Sequence, residues 1–314
     1  MPIQGYQYER LELKDDYEGE VIATLISSEN NRGEAPAVLY IHGWIDYFFH
    51  AHMGEVLNNA GYDLYALELR KYGHSYLDHQ HPNFCKDLGE YYEDIDRAIE
   101  KIKSKGATDI FFLGHSTGGL TTSLYLSEGK YKNSIKAMIL NSPFLEIPLP
   151  VVIRALVDPV TTFVLFFSPW VGLSGFVSPH YPKSLHKDYK GEWDFDLEHK
   201  PIKGFPAYFK WVRAVRRGQS KVKKGLRVKQ PVLLMHSSNS FMAFKWKDAI
   251  HRSDIVLNTE DMKRIGPRIG SNVEIKAIKD GRHDLALSLK ESREEYFSSL
   301  LDFLQKTSSH PSSP

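Results

Sequence analysis

The sequence predicts an α/β fold: a mostly parallel, doubly wound sheet of about eight strands, with an inserted and largely helical cap. Three observations predict it. Short, fully apolar runs alternate with stretches of helical spacing, the pattern of a parallel sheet covered on both faces. That alternation halts at Pro143 and resumes only at Pro231, across a proline-rich and strongly apolar stretch. Between one apolar run and the next helical stretch lies the tight turn Gly114-His115-Ser116-Thr117-Gly118.

Taken in order, residues 6–13 alternate as a strand, and Val21, Ala23 and Leu25 mark a second. Asp15, Asp16 and Gly19 supply the turn between them. After Pro36 comes the apolar run Ala37-Val38-Leu39-Tyr40-Ile41, then helical spacing at Met53, Val56, Leu57 and Ala60. Residues 62–69 read as strand, and Tyr92, Ile95, Ala98, Ile99 and Ile102 form the apolar stripe of an amphipathic helix. Ile110-Phe111-Phe112-Leu113 is a third run, residues 120–126 a helix, and Ala137-Met138-Ile139-Leu140 a fourth run. The pattern returns at Val232-Leu233-Leu234-Met235-His236 and at Val273, Ile275, Ala277 and Ile278. Right-handed crossovers stack these runs into one sheet. The expected organisation is a core first part at 1–143, a cap at 144–225, a core second part at 226–306 and a disordered tail at 307–314.

Composition narrows the function. With 314 residues, 42% hydrophobic and 25% charged, the chain has material for a large core. Forty Lys+Arg against 39 Asp+Glu leave a net charge of +1, so there is no electrostatic footprint for nucleic acid. The single cysteine, Cys85, excludes an internal disulfide and a cysteine-rich zinc site. The first residues lack the basic region and apolar run of a secretion signal, so a cytoplasmic location is expected. From Pro159 to Pro182 there is no charged side chain, but Pro169, Gly172, Gly175 and Pro179 break the helix a membrane span would need.

The glycine-flanked serine carries the chemistry. A sharp strand-to-helix turn lifts the Ser116 hydroxyl above the strand end, and Gly114 and Gly118 let the backbones approach there. The Thr117 N–H then lies at a helix N-terminus, whose dipole favours developing negative charge. A plain helix-capping serine is the alternative. Serine needs a base, and His283, in Asp280-Gly281-Arg282-His283-Asp284, follows a strand and sits on the same sheet edge. His115 lies inside the turn and reads as packing. The pairs His50/His52 and His79/His81 carry no metal expectation, because alternate residues splay apart on a helix and no carboxylate cluster supports them.

A carboxylate must orient the base. No acid stands at the end of the strand that closes on His236, so the candidates lie further on, Asp254 ahead of Asp248. Asp254 precedes Ile255-Val256-Leu257, the start of a packed element, whereas Asp248 sits beside Lys247 as on a solvated surface. His42-Gly43-Trp44 follows another strand, and the Trp44 N–H pairs with that of Thr117 as oxyanion donors. Asp46 reads as a brace for that loop.

Together His42-Gly43-Trp44, Gly114-His115-Ser116-Thr117-Gly118-Gly119, Asp254 and Asp280-Gly281-Arg282-His283-Asp284 resemble the α/β-hydrolase superfamily, in its monoacylglycerol lipase/lysophospholipase-like (serine aminopeptidase S33-like) branch. The resemblance runs from about Val38 to the C-terminal helix. It implies hydrolysis of carboxylic esters by a Ser-Asp-His triad through an acyl-enzyme, and no cofactor. Carried over by position, Ser116 is nucleophile, His283 base and Asp254 acid, with oxyanion amides from Trp44 and Thr117. Segment Ser253-Asp254-Ile255-Val256-Leu257 resembles the acid motif of a bacterial subgroup. Where monoacylglycerol lipases continue the oxyanion loop with Gly-x-x-Glu-His, this chain has Trp44-Ile45-Asp46-Tyr47-Phe48-Phe49, and its acid lies well beyond the usual place.

The expected partner is a small lipophilic ester. Substrate-binding candidates in the cap are Phe163, Phe166, Phe167, Trp170, Trp193 and Trp211, with Ile147, Leu149, Val151, Val152, Leu156, Leu165 and Phe176 adding apolar surface. Such a cap either lines an acyl tunnel, with transient contact at a membrane surface, or only packs onto the core. An aminopeptidase-like rival would bind a free amino terminus at Glu192, Asp194 or Glu198. A binding protein on the same fold would break the triad, and here every member can be supplied.

Overall fold

A computed structural model describes residues 2–167, 170–175 and 177–308. Its sheet has eight strands: β1 (Tyr6–Glu12), β2 (Ile22–Ser28), β3 (Ala37–Ile41), β4 (Asp63–Glu68), β5 (Ile110–His115), β6 (Ile135–Asn141), β7 (Val232–Ser237) and β8 (Val273–Ile278). Their order across the sheet is β1-β2-β4-β3-β5-β6-β7-β8. The β1–β2 and β2–β4 pairs are antiparallel and the rest parallel. The two strands read from the N-terminal alternation thus extend one edge of the parallel sheet.

Period-two alternation decides which side chains meet which layer. Leu39, Ile41, Phe112, Met138 and Leu140 point to one face. There they meet α2 (Tyr91–Ser104), α3 (Thr117–Glu128) and α6 (Phe209–Lys224) through Ile95, Leu124 and Val215. Val38, Tyr40, Phe111, Leu113 and Ile139 point to the other. They are covered by α1 (Ala51–Asn59) and α7 (Lys290–Ser308) through Met53, Leu57, Tyr296 and Leu300. Strands with both faces covered need no polar alternation, which is why these runs are apolar throughout.

Between β6 and β7 the chain forms α4 (Val151–Phe167), α5 (His180–Leu185), a two-residue ribbon pairing Gly172–Leu173 with Ala207–Tyr208, and α6. The last of these is shared with the core. Trp211, Val212, Val215 and Val222 recur at helical spacing and join the main core cluster, while Gly218 lets the helix lie against Leu88, Leu120 and Leu124. A third apolar cluster seals the insertion onto the sheet edge, with Tyr47 and Phe49 from the loop after β3 against Tyr181, Leu185 and Phe195. Helix α7 continues through Ser308, and residues 309–314, where a disordered tail is expected, lie outside the described residues. No helix among the described residues is long and apolar enough to cross a membrane.

Candidate active site

Parallel strands bring their C-terminal ends to one edge, and the loops after β3, β5, β7 and β8 meet there. Ser116 follows β5 with φ 53° and ψ −117°, a left-handed conformation that a non-glycine residue holds only under constraint. The constraint is local. The Ser116 N–H donates to the Asn141 carbonyl (3.0 Å), and the Ser116 carbonyl accepts from Phe144 N (2.9 Å) and Leu120 N (3.2 Å). A Cβ at Gly114 would lie 2.5 Å from Thr122 Oγ1 and 2.8 Å from the Gly119 Cα, and one at Gly118 would strike the carbonyls of Ile41 and His42. These close approaches explain the two flanking glycines.

His283 Nε2 lies 3.0 Å from Ser116 Oγ, and His283 Nδ1 lies 2.9 Å from Asp254 Oδ2. All three residues are buried, Asp254 completely. The second oxygen of Asp254, Oδ1, accepts from Val256 N and Leu257 N, both at 2.8 Å. These bonds fix the carboxylate plane. Asp254 reaches the edge by a detour. After β7 the chain runs out through a short helical turn, Asp248–Arg252, and returns so that Asp254 N donates to Asn239 O (2.9 Å) and Phe241 N to Asp254 O (3.1 Å). Asp248 stays exposed at the start of that turn.

β8 lies three positions from β5 in the sheet, so its loop must arch back over β7 and β6. Asn141, at the end of β6, makes the arch hold. Its Nδ2 donates to Asp284 Oδ1 (2.8 Å) and its Oδ1 accepts from Leu285 N (3.1 Å). Asp284 also contacts His50 Nε2 (2.9 Å) and accepts from Ala286 N (3.0 Å), while its own N–H donates to Tyr181 Oη (3.1 Å). Arg282 braces the other side, with Nη1 to Leu287 O (3.0 Å) and Nη2 to His251 Nδ1 (2.7 Å). Burial alone would raise the Asp284 carboxyl, but His115, His50 and the Asn141 hydrogen bond hold it far below the carboxylate range. None of Asn141, Tyr181 and Lys200 carries a sequence signal, because each acts only across the fold.

Trp44 and Thr117 line the same cavity as Ser116 and His283. Thr117 is the first residue of α3, where the amide has no acceptor within the helix. The loop after β3 passes so close that a Cβ on Gly43 would lie 3.1 Å from the Ser116 Cβ. Its Asp46 is buried and ion-paired to Lys200 at 2.5 Å. Among the described residues one group could hold a cation: Asp46, His115 and Asp284 have ligand atoms within 4.8 Å of one another. Those carboxylates already face Lys200 and His50. The paired histidines have separate partners: His50 turns to Asp284 and His52 to the Ala286 carbonyl, while His79 turns to the Glu20 carbonyl and His81 to Glu18.

The cavity measures about 1100 Å³ and is lined by Phe144, Ile147, Leu149, Val151, Phe241 and Met242, among others. Of the cap candidates among the described residues, only Trp211 lines it, stacked on Trp44 with centroids 4.6 Å apart. The other described candidates lie elsewhere. Phe163 and Phe166 face solvent, 69% and 85% exposed, because they lie on the outer stripe of α4. Trp170 stacks on His81 (4.4 Å) and packs on Phe84, against the main core. Trp193 donates to the Leu287 carbonyl (3.0 Å) and packs on His52 with tilted rings (4.4 Å), behind the loop that carries His283. The Phe167 side chain and Phe176 lie outside the described residues. The loop 241–244 after β7, which the sequence reading missed, closes the cavity instead; its aromatic and methionine residues are the signal that could have found it.

Two outcomes follow from the buried network. Burial lowers His115 and His52 to about 4, so between pH 6.5 and 4 the unfolded chain takes up protons that the fold refuses. Stability therefore falls with pH across that window in urea titrations, and His52→Gln reduces the slope. Asn141→Asp sets a second carboxylate against Asp284 and costs about 3 kcal/mol or more in the same titrations.

A family model described as serine aminopeptidase, S33, matches residues 34–288. No curated protein sequence matches the chain. Among solved structures, a monoglyceride lipase from Saccharomyces cerevisiae, in complex with a substrate analogue, superposes with TM-score 0.72 at 19% identity, over 96% of this chain and 94% of that one. The monoacylglycerol lipase of Paleococcus ferrophilus gives 0.64 at 20% identity, over 96% and 99%. A carboxyl esterase from Bacillus coagulans gives 0.68 at 13%, over 97% and 99%. These likenesses show the shared fold, that of the α/β hydrolases. With four-fifths of its length matched by one family model, the chain belongs to the serine aminopeptidase S33 family.

Proposed function

We propose that this serine carboxylic-ester hydrolase cleaves esters of lipophilic acids, of the monoacylglycerol or lysophospholipid kind, with Ser116 as nucleophile, His283 as base and Asp254 as the orienting acid. The observation that carries the reading is the hydrogen-bonded series Ser116–His283–Asp254 at the floor of a largely apolar cavity. His283 takes the hydroxyl proton as Ser116 Oγ attacks the ester carbonyl. The oxyanion is stabilised by the amides of Trp44 and Thr117, and Asp254 stabilises the imidazolium. His283 then protonates the leaving alcohol, and water, activated by the same imidazole, releases the acid from the acyl-enzyme.

An ester rather than a peptide fits the cavity better. The acids that would hold a free amino terminus stand outside its lining, Glu192 paired with Arg293 and Asp194 with Lys187. Asp46, which does line it, is neutralised by Lys200. Phe144, Ile147, Leu149 and Val151 supply an apolar wall suited to an acyl chain.

The cap is proposed to rest transiently on a lipid surface. Val152, Leu156, Val160 and Phe163 recur at i, i+4, i+8 and i+11 along α4 and are all exposed, with Phe166 on the same side. Met242 and Phe244, which line the cavity, add exposed apolar surface. The one cysteine, fully buried Cys85, suits a reducing compartment such as the cytoplasm.

A panel of p-nitrophenyl esters, monoacylglycerols, lysophospholipids and aminoacyl amides tests the reading. Medium or long acyl esters are expected to turn over best, and Ser116→Ala to lose turnover and fluorophosphonate labelling while keeping its fold. Full esterase activity in Ser116→Ala, or hydrolysis of acetate esters only, refutes it. For the lipid contact, Phe163→Glu combined with Phe166→Glu should cut turnover on monoacylglycerol-bearing vesicles by about tenfold or more. The rate on soluble esters should stay unchanged.

A further inference from the structure

The loop that carries Trp44 is irregular, and its shape is imposed from outside. Ile45 is left-handed, with φ 53°. The core holds the loop through Asn83 Oδ1, which accepts from Ile45 N (3.2 Å), and Glu68 Oε1, which accepts from Phe48 N (3.1 Å). Further fixings come from the insertion. Trp211 stacks on Trp44, the Asp196 N–H donates to Tyr47 Oη (2.6 Å), and the Lys200 ammonium pairs with Asp46 Oδ1 (2.5 Å).

The Lys200–Asp46 pair is the decisive one. Both side chains are buried, 7% and 2% exposed, and both residues line the cavity that holds Ser116. Phe49 and Phe195 wall the ammonium in, with ring centroids 5.4 and 5.9 Å away. Asp46 Oδ2 has no hydrogen-bond partner among the described residues, so Lys200 is what keeps this carboxylate in place as an anion. Burial alone would raise the Asp46 carboxyl, and the nearby ammonium holds it below its ordinary value. A buried ion pair is a poor device for stability alone, since an apolar pair of similar volume serves as well or better. Here it joins two parts of the molecule that meet at the reacting centre. Were the insertion to lift, Asp46 would be left unpaired, and the loop would turn to hydrate it, carrying Trp44 along.

We propose that Lys200 is a positioning residue: through its ion pair with Asp46 the cap fixes the loop bearing the Trp44 amide, so the oxyanion donors are aligned only while the cap is seated. This rests on the ester-hydrolase reading above. A displacement of about 1 Å in such a donor is enough to lower the rate roughly a hundredfold without weakening ground-state binding.

The test measures kcat and KM on a soluble p-nitrophenyl ester, normalised to sites titrated with a fluorophosphonate. Wild type is compared with Lys200→Met, Asp46→Asn, the double variant and Lys200→Arg. Lys200→Met is expected to lose about tenfold to a hundredfold in kcat with KM within twofold. Affinity for a trifluoromethyl ketone, which mimics the tetrahedral adduct, should fall by the same factor. The double variant, which buries no orphan charge and folds even where the single variants do not, should lose no more than either single change. Lys200→Arg should recover most of the rate. A double variant that keeps the wild-type kcat per titrated site and wild-type ketone affinity overturns the proposal, because a merely structural pair would change the folded fraction and not those constants. Absence of Ser116-dependent turnover in the wild type overturns the hydrolase reading instead.

Discussion

One carboxamide holds the candidate site together. Asn141 ends β6 between the strand that leads into Ser116 and the two that lead on to Asp254 and His283. Its main-chain carbonyl receives the Ser116 N–H, and its side chain grips both Asp284 and Leu285 on the loop that carries His283. A hydroxyl and an imidazole that start three strands apart are thereby set 3.0 Å from each other. The carboxamide suits the task because it donates from one end and accepts at the other, while a carboxylate only accepts.

Around that joint the molecule tolerates local cost. Ser116, Ile45 and Asp280 hold positive φ without being glycine, and each lies on a loop at the same edge of the sheet. Buried charge is found there too, in Asp46, Lys200, Asp254 and Asp284. Strain and desolvation are carried by a sheet packed on both faces, whose apolar strands supply the surplus.

Most of the fold was legible because it rests on periodicity. Apolar runs such as Ala37-Val38-Leu39-Tyr40-Ile41 and the stripe Ile95, Ala98, Ile99, Ile102 report burial directly, and the glycines at 114 and 118 report close backbone approach. The residues proposed as nucleophile and base were easy to single out because each sits in a compact motif after a strand. Cap residues were harder. Apolar content shows that a side chain can be buried but not where, so Phe163 and Phe166 read the same as Leu149, although only Leu149 reaches the cavity. Asn141, Tyr181 and Lys200 act through partners 143, 103 and 154 residues away, distances at which no local pattern speaks.

The detour that delivers Asp254 also bears on how such chains are aligned. Its two ends are stitched side by side at Asn239, Phe241 and Asp254, and the intervening turn bulges outward, so the carboxylate takes its place from the stitch alone. Residues could be gained or lost in the bulge without shifting the acid. The count of positions from strand to carboxylate is therefore a poor ruler, and the short backbone ladder that brings the excursion home is the better landmark.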